Sequence, residues 1–533
     1  MVRLILLNDK GFEWKRGKSV QFKGVVWLNG RKLTEPAEVE DVIDPQDETS
    51  VRNFAQNANG FFVLVISSKR ATYLVSDRVR TFPLFFVKTK DGFVVSDHAP
   101  ALLRWTRCEV EARKKAEFLL TGYVTHSETL VEPIVPLQAG EIVKLEGKNI
   151  SRTPYFRYIY RPFYDEQPDR LFELLDQLFL NATKRLIDFV DGRTIVLPLS
   201  GGMDSRTILF YLKELGFKDV ITFSYGREGN RESQISKNVA EDYGYKWLFV
   251  PYSESSWFKW YNSEQLWDYF AYSGNLISTP HIQDFPAVWT LKSSGQIPAD
   301  AVFVPGHTLD FLSGGHIPPY WQCDSFFTIK KVLHGIWRKH FKLNTSRTVL
   351  SYKDVIFQKI RKVIAEELFD KDILNFIEAA NAAEYWDWKE RQPKYILNSL
   401  RVYEFWGYKW YVPLWDAELI DFWLRVHPCL KIRRRLFKEF AFKRGIISQR
   451  LPIAVPSKNA FQKTLLTIWE IWKALDPSIK YLKFFLWDRH KDPLAWNGIW
   501  HWRKFLRHRV RENMSMVACD YLEFWELKFK EWC

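Results

Sequence analysis

The sequence predicts two domains of mixed α+β and α/β class: a layered sheet domain, then an open parallel sheet that carries a glycine-rich loop and ends in a helical extension. Three observations predict it. Strand patterns crowd the first 160 residues. An apolar run, Thr194–Leu199, then breaks into Ser200-Gly201-Gly202-Met203-Asp204-Ser205 before a helical pattern. Two more strand–turn units, from Val220 and from Val302, fall where an open parallel sheet needs them, with turns at the carboxyl ends of neighbouring strands.

The first domain is read from Asn59-Gly60-Phe-Phe-Val-Leu-Val-Ile66, Leu74-Val-Ser-Asp-Arg78 and Phe82-Pro-Leu-Phe-Phe86, which alternate as strands do. Leu120–Val124, Pro136–Glu141 and Tyr155-Phe156 resemble the end of the glutaminase domain of asparagine synthetases, which implies that the first domain ends there. Arg161-Pro162 and Gln167-Pro168 then punctuate a polar stretch between Tyr158 and Asp169, before an amphipathic helix that starts at Leu171. Domains of residues 1–160 and 165–533 follow.

In the second domain Ile195–Leu197 read as a buried strand and Thr207–Leu215 as a helix closed by Gly216. The loop between them lies at a helix N-terminus, where unpaired N–H groups and the helix dipole favour an anion, and two glycines let backbone approach phosphate. Ser200 and Ser205 add hydroxyl donors. A bare Gly-Gly pair after a strand can equally be a tight turn, and Asp204 can equally be a helix cap. No lysine follows the glycines, so the loop is not of the Gly-x-x-x-x-Gly-Lys type. Val220–Ser224 leads into Tyr225-Gly226 and a helix from about Glu232 to Tyr243, closed by Gly244.

The Ser200–Ser205 loop resembles the PP-loop of ATP pyrophosphatases, and the chain around it is similar to asparagine synthetases and β-lactam synthetases. Val302-Phe-Val-Pro-Gly-His-Thr-Leu-Asp-Phe-Leu-Ser-Gly-Gly315 matches that family's Ser-Gly-Glu-Gly-Ser-Asp-Glu-x-Phe-Gly-Gly pattern at Gly306, Asp310, Gly314 and Gly315. The resemblance implies ATP bound by Ser200, Gly201, Gly202, Asp204, Ser205, Tyr225 and Gly306, with Mg²⁺ on Asp204 and Asp310 as hard oxygen ligands. It also implies an adenine nucleotide α-hydrolase-like fold here, and an N-terminal-nucleophile (Ntn) hydrolase-like glutaminase fold for the first domain. Asn59 and Gly60 match oxyanion donors of that glutaminase.

Where the family's glutaminase has a cysteine at the mature amino terminus, this chain has Met1-Val2-Arg3, and its first cysteine is Cys108. The glutaminase is therefore expected to be inactive, with Asn59, Gly60 and Asp77 kept as structural residues. His307 replaces the family's Glu or Tyr, Thr308-Leu309 replace Gly-Ser, and Phe311 replaces the second acid, so the wall facing substrate differs. Pro413-Leu-Trp-Asp416 resembles another family landmark, and Lys458 in Pro456-Ser-Lys-Asn-Ala-Phe461 is the cation expected to balance charge at the α-phosphate.

Composition narrows the rest. The net charge is +14, densest at Lys431–Lys438 and Arg503–Arg511. A solvated helical face is the plain reading of both runs, nucleic-acid contact or an anionic, even nucleotide-linked, substrate the others. Tryptophans interleave with basic residues after Thr464, where Trp469, Trp472 and Leu475 read as a core stripe; an interfacial membrane helix is the alternative. No apolar run reaches the roughly 18 residues that span a bilayer, so a cytoplasmic enzyme is expected, without membrane or nucleic-acid partners. The five cysteines, lacking C-x-x-C pairs, read as reduced. The family resemblance, which composition does not select against, implies an AMP-forming amide ligase joining a small-molecule carboxylate to ammonia or an amine, with His307 and Lys458 catalytic. An RNA-modifying PP-loop protein and a nucleotide-binding protein without turnover are the alternatives.

Overall fold

The computed structural model describes residues 2–344, 346–447, 492–496, 499–500 and 513–532. The early strands form two sheets. The smaller is ordered Val2–Ile5, Gly92–Ser96, Phe85–Thr89, Val135–Pro136. The larger is ordered Asn149–Pro154, Glu141–Glu146, Thr72–Ser76, Asn59–Ser67, Val20–Leu28, Lys15–Arg16, with Arg31–Leu33 also paired to Val20–Leu28. Residues 61–66 and 73–75 are all buried, so these central strands are covered on both faces, as a layered domain requires.

Beyond them lies a parallel sheet of five strands, ordered Lys246–Pro251, Val220–Gly226, Ile195–Pro198, Val302–Phe303, Lys409–Trp410. Ile195 pairs with Val220 on one side and with Val302 on the other. The carboxyl ends of the three middle strands therefore share one edge, and the turns after them meet there. The helix leading into the sheet, Pro168–Val190, starts three residues before the apolar pattern because Pro168 sits in its first turn, where a missing N–H costs nothing. The expected helix before Gly244 spans Arg231–Tyr243, capped by the Asn230 side chain.

An aromatic seam joins the two sheet systems. Trp410 of the parallel sheet packs on Phe12, Phe61 and Phe82, with ring centroids 5.1, 6.0 and 5.1 Å away, and Tyr411 packs on Phe61 at 5.1 Å. Beside this aromatic seam Arg185 forks onto buried Asp416 at 2.6 and 2.9 Å. A second apolar cluster is built by helices Ile329–His340, Lys353–Glu367 and Phe376–Trp386. A π-helical segment, Asp387–Ile396, and a 3₁₀ turn, Leu397–Leu400, return the chain to the sheet edge.

The helix Asn513–Trp532 packs on the core through Tyr521, Trp525 and Phe529. Tyr521 lies against Gly274, where an added Cβ would come within 2.4 Å of its ring, and the Tyr521 hydroxyl accepts from Leu276 N at 2.9 Å. Trp469, Trp472, Leu475, Lys458 and the run 503–511 lie outside the described residues. Among the described residues no helix is long and apolar enough to cross a membrane.

The cysteines correct the sequence reading. Cys323 and Cys429 are disulfide-bonded across 106 residues with Cα atoms 5.8 Å apart, and Cys108 is disulfide-bonded as well. Local spacing could not show a pairing that only the fold creates, and cysteine usage no longer speaks for a reducing compartment.

Candidate functional site

At the shared strand ends Ser200, Gly202, Met203 and Asp204 form one wall of a cavity of about 450 Å³. Gly306, His307, Thr308 and Asp310 form the second, and His281, Gln283, Tyr395, Ile396, Ser399, Arg434 and Met514 complete it. The two glycine loops touch directly. A Cβ on Gly306 would lie 2.4 Å from Ser205 N, so only glycine lets the third strand's loop lie flat on the phosphate loop. Gly314 has φ +88°, and its Cβ would meet the Lys431 backbone at 2.5 Å. The Gly314-Gly315 pair thus admits the chain that brings Arg434 into the cavity.

The helix after the phosphate loop spans Asp204–Glu214 and begins three residues earlier than its apolar pattern. Asp204 does not cap it. One Asp204 oxygen accepts Asp310 N at 2.9 Å and the other accepts Arg434 Nη2 at 2.7 Å, so the carboxylate ties the two loops together. Burial raises the pKa of Asp204 and outweighs the Arg434 charge that opposes it. For Asp310 the balance reverses: burial disfavours the charge, but the His316 hydrogen bond and charge, with Arg434, hold the carboxyl below its ordinary range.

Each remaining expected residue has a definite place. Ser200 Oγ accepts Gly202 N at 3.2 Å inside the loop. Gly201 is buried and accepts from Arg206 through its carbonyl at 3.3 Å. Ser205 is buried, and its Oγ has no partner among the described residues; the same holds for Thr308 Oγ1 and His307 Nδ1. Orphaned polar atoms around one cavity mark where a polar ligand would satisfy them. Burial pushes the His307 pKa down to about 4, so the imidazole is neutral at physiological pH rather than poised near 6.5.

Tyr225 is not brought to the cavity. Its hydroxyl donates to Asp284, as does Tyr403 at 2.6 Å, and Asp284 is ionised down to about pH 2, because its bonds to His281 and the two tyrosines overcome its burial. Nor is the Lys431–Lys438 run one solvated face. Lys431 is fully buried on Glu384 at 2.7 Å, Arg434 faces the cavity, and Arg433, Arg435 and Lys438 face water. The reason is local: Arg433 and Arg434 have φ of 55° and 63°, which breaks the helix and turns Arg434 inward.

Sequence reasoning missed Arg434, and it missed His316 and Asp387 behind Asp310. His316 Nε2 lies 3.0 Å from Asp310 Oδ2, and His316 Nδ1 lies 2.6 Å from Asp387 Oδ2. The signal for Arg434 was its place in the dense basic run Lys431–Lys438; for His316 it was its position directly after Gly315.

Asn59 and Asp77, carried over as glutaminase residues, are engaged elsewhere. Asn59 Nδ2 donates to Asp416 at 3.1 and 3.2 Å and Asn59 Oδ1 accepts Ala417 N at 3.0 Å, which pins the first sheet domain to the second. An amide so committed is not aimed at an oxyanion. Gly60, φ +149°, has its Cα against the Val25 carbonyl, where a Cβ would come within 2.3 Å. Asp77 accepts Phe62 N at 3.0 Å and Val79 N at 2.8 Å and closes a buried turn.

Comparison with known proteins follows this division. Residues 31–156 match the glutamine amidotransferase domain, and residues 194–259 match queuosine biosynthesis protein QueC. The chain is 43% identical over 59 residues to a 7-cyano-7-deazaguanine synthase of Staphylococcus aureus (strain bovine RF122 / ET3-1), a stretch covering 11% of this chain and about a quarter (26%) of that relative. Among solved structures it is similar to an NH3-dependent NAD synthetase from Campylobacter jejuni, at 11% identity over 42% of this chain and 94% of that one, with a TM-score of 0.21. It is also similar to the glutamine phosphoribosylpyrophosphate amidotransferase of B. subtilis, at 9% identity over 55% and 63% of the two chains, with a TM-score of 0.18. The chain thus joins an Ntn-like domain of the glutamine amidotransferase type to a parallel-sheet PP-loop domain similar to QueC.

Proposed function

We propose that this chain is an asparagine synthetase-like, AMP-forming amide ligase without glutaminase activity. A substrate carboxylate oxygen would attack the α-phosphate of ATP seated on Ser200–Ser205, breaking the bond to the β-phosphate and releasing pyrophosphate. An amine would then attack the acyl carbon, lose a proton and expel AMP. The observation that supports this most is the meeting of the phosphate loop, two carboxylates and an unpaired imidazole around one cavity at a parallel sheet edge.

Asp204 and Asp310 suit Mg²⁺, which takes one or two carboxylates and keeps several waters. The Asp310 side chain is 49% exposed toward the cavity, so its oxygens are within reach of a cation. Among the described residues no larger group of ligands gathers there, so the pair would hold the ion together with phosphate oxygens and water. When bound, Mg²⁺ neutralises phosphate charge. Arg434 supplies a fixed positive charge on the same wall, and His307 Nδ1, neutral and unpaired, can take the amine proton. Lys458 is kept as the proposed cation at the α-phosphate on the family resemblance alone.

The test is ATP–pyrophosphate exchange stimulated by a panel of small carboxylates, beside a glutaminase assay. Exchange without glutamate release supports the reading. Exchange stimulated only by RNA would favour an RNA-modifying enzyme, and ATP binding without any exchange would favour a binding protein.

A further inference from the structure

Asp310 projects from a helix of only four residues, Leu309–Leu312, entered through Thr308 at φ +91°. Within that turn its carboxylate is held by one backbone N–H, Phe311 N at 2.8 Å on Oδ1. So short an element fixes a side-chain direction poorly. A carboxylate that is to hold a cation beside phosphate needs its direction fixed by its surroundings.

The support comes from behind. Oδ2 of Asp310 meets His316 Nε2 at 3.0 Å, and the other face of that imidazole meets Asp387 Oδ2 at 2.6 Å. His316 and Asp387 are 7% and 1% exposed, and Gln392 Nε2 donates to the second Asp387 oxygen at 2.9 Å. The imidazole is clamped between two carboxylates and has no further ring nitrogen to offer. Asp387 heads the π-helical segment Asp387–Ile396, whose far end supplies Tyr395 and Ile396 to the same cavity.

That segment is gripped in turn by the amidotransferase-type domain. Glu390 Oε2 accepts His126 N at 2.8 Å, Lys394 Nζ donates to His126 O at 2.7 Å, and Lys394 and Glu390, both fully buried, pair at 2.5 Å. Trp388 Nε1 donates to Arg78 O at 2.9 Å from the same segment. The first domain is therefore tied by hydrogen bonds to the π-helical segment, whose backbone leads to Asp387, and from Asp387 hydrogen bonds run through His316 to Asp310.

We infer that His316 is a positioning residue: clamped by Asp387, it orients Asp310 for Mg·ATP, and the amidotransferase-type domain serves the ligase site by holding the π-helical segment that carries Asp387. This rests on the proposed ATP site, and it gives the first domain a task that needs no glutaminase chemistry. Partners that orient a metal's direct ligands typically govern 10–100-fold in affinity.

The experiment is calorimetric titration of the full chain with ATP, once with Mg²⁺ and once with chelator, for wild type, His316→Gln, Asp387→Asn and the paired isostere Glu390→Gln with Lys394→Met. The expected result is Mg·ATP binding weakened about 10–100-fold in His316→Gln and Asp387→Asn. It should weaken in the same direction, though less, in the paired variant. Chelated ATP should bind all four proteins alike. Combining His316→Gln with Asp387→Asn should cost no more than either alone, because both cut one link. Should one variant fail to fold, the other single and Gln392→Met carry the comparison. Equal Mg·ATP affinity in His316→Gln and wild type, or equal loss with and without Mg²⁺, would overturn the inference. A wild type that binds no ATP in either form would instead overturn the proposed site itself.

Discussion

At the scale of single residues His307 makes the most discriminating demand. If it takes the amine proton, His307→Gln should leave ATP–pyrophosphate exchange nearly intact while amide formation falls by about 10²–10⁴-fold; equal loss of both would assign it to nucleotide binding. Its pKa of about 4 also sets a pH signature. The neutral form is the competent one, so the acid limb of kcat/KM should lie near pH 4, and a limb near 6.5 would show a hydrated imidazole. The same shift bears on stability. The folded value lies below the ordinary 6.5, so the unfolded chain binds the extra proton first, and stability is lost as pH falls from 6.5 toward 4. Melting curves at pH 7 and 5 should therefore converge in His307→Gln relative to wild type. Asp204→Asn and Asp310→Asn should each cut pyrophosphate release by about 10²-fold or more, since a metal's charge stabilisation is worth several kcal/mol; full activity in either would remove it from the site. That Asp204, His307 and Asp310 would line one cavity was legible from the family resemblance of two short loops. Arg434 and the His316–Asp387 pair were not, because two positive φ values and a contact across 71 residues are products of the fold.

Elements read from period and punctuation were found close to where the sequence put them. The strand at Ile195, the helix closed by Gly244 and the Gly306 loop all depend on residues within a few positions of one another. Helix starts were read three residues late at both Pro168 and Asp204, since polar first turns carry no apolar period. The π-helical segment was invisible, as nothing in Asp387–Ile396 marks a wider turn before packing imposes it. Close approach of elements supplies its own test. Gly306→Ala would force a Cβ to within 2.4 Å of Ser205 N, so the two loops must separate. Calorimetry should show ATP affinity lowered about 10-fold or more while circular dichroism stays native; unchanged affinity would mean that the loops are not packed as described.

For the whole molecule, the aromatic seam at Trp410 and the Arg185–Asp416 fork pack the two sheet systems against each other, and they should unfold together. Arg185→Met leaves Asp416, 2% exposed, without its charge partner, a loss worth about 3–5 kcal/mol, and a single unfolding transition should move as one. Two separate transitions in wild-type calorimetry would contradict that unity. The shared core gives the amidotransferase-type domain a structural role, with its Asn59 as a clasp on Asp416. The central claim is that this cavity activates a carboxylate by adenylation. Its most direct measurement follows isotope from an ¹⁸O-labelled carboxylate found by the exchange screen, through one round of amide formation, by mass spectrometry of the nucleotide released. One ¹⁸O in the phosphate of AMP is the predicted result; ADP, or AMP without label, would contradict it.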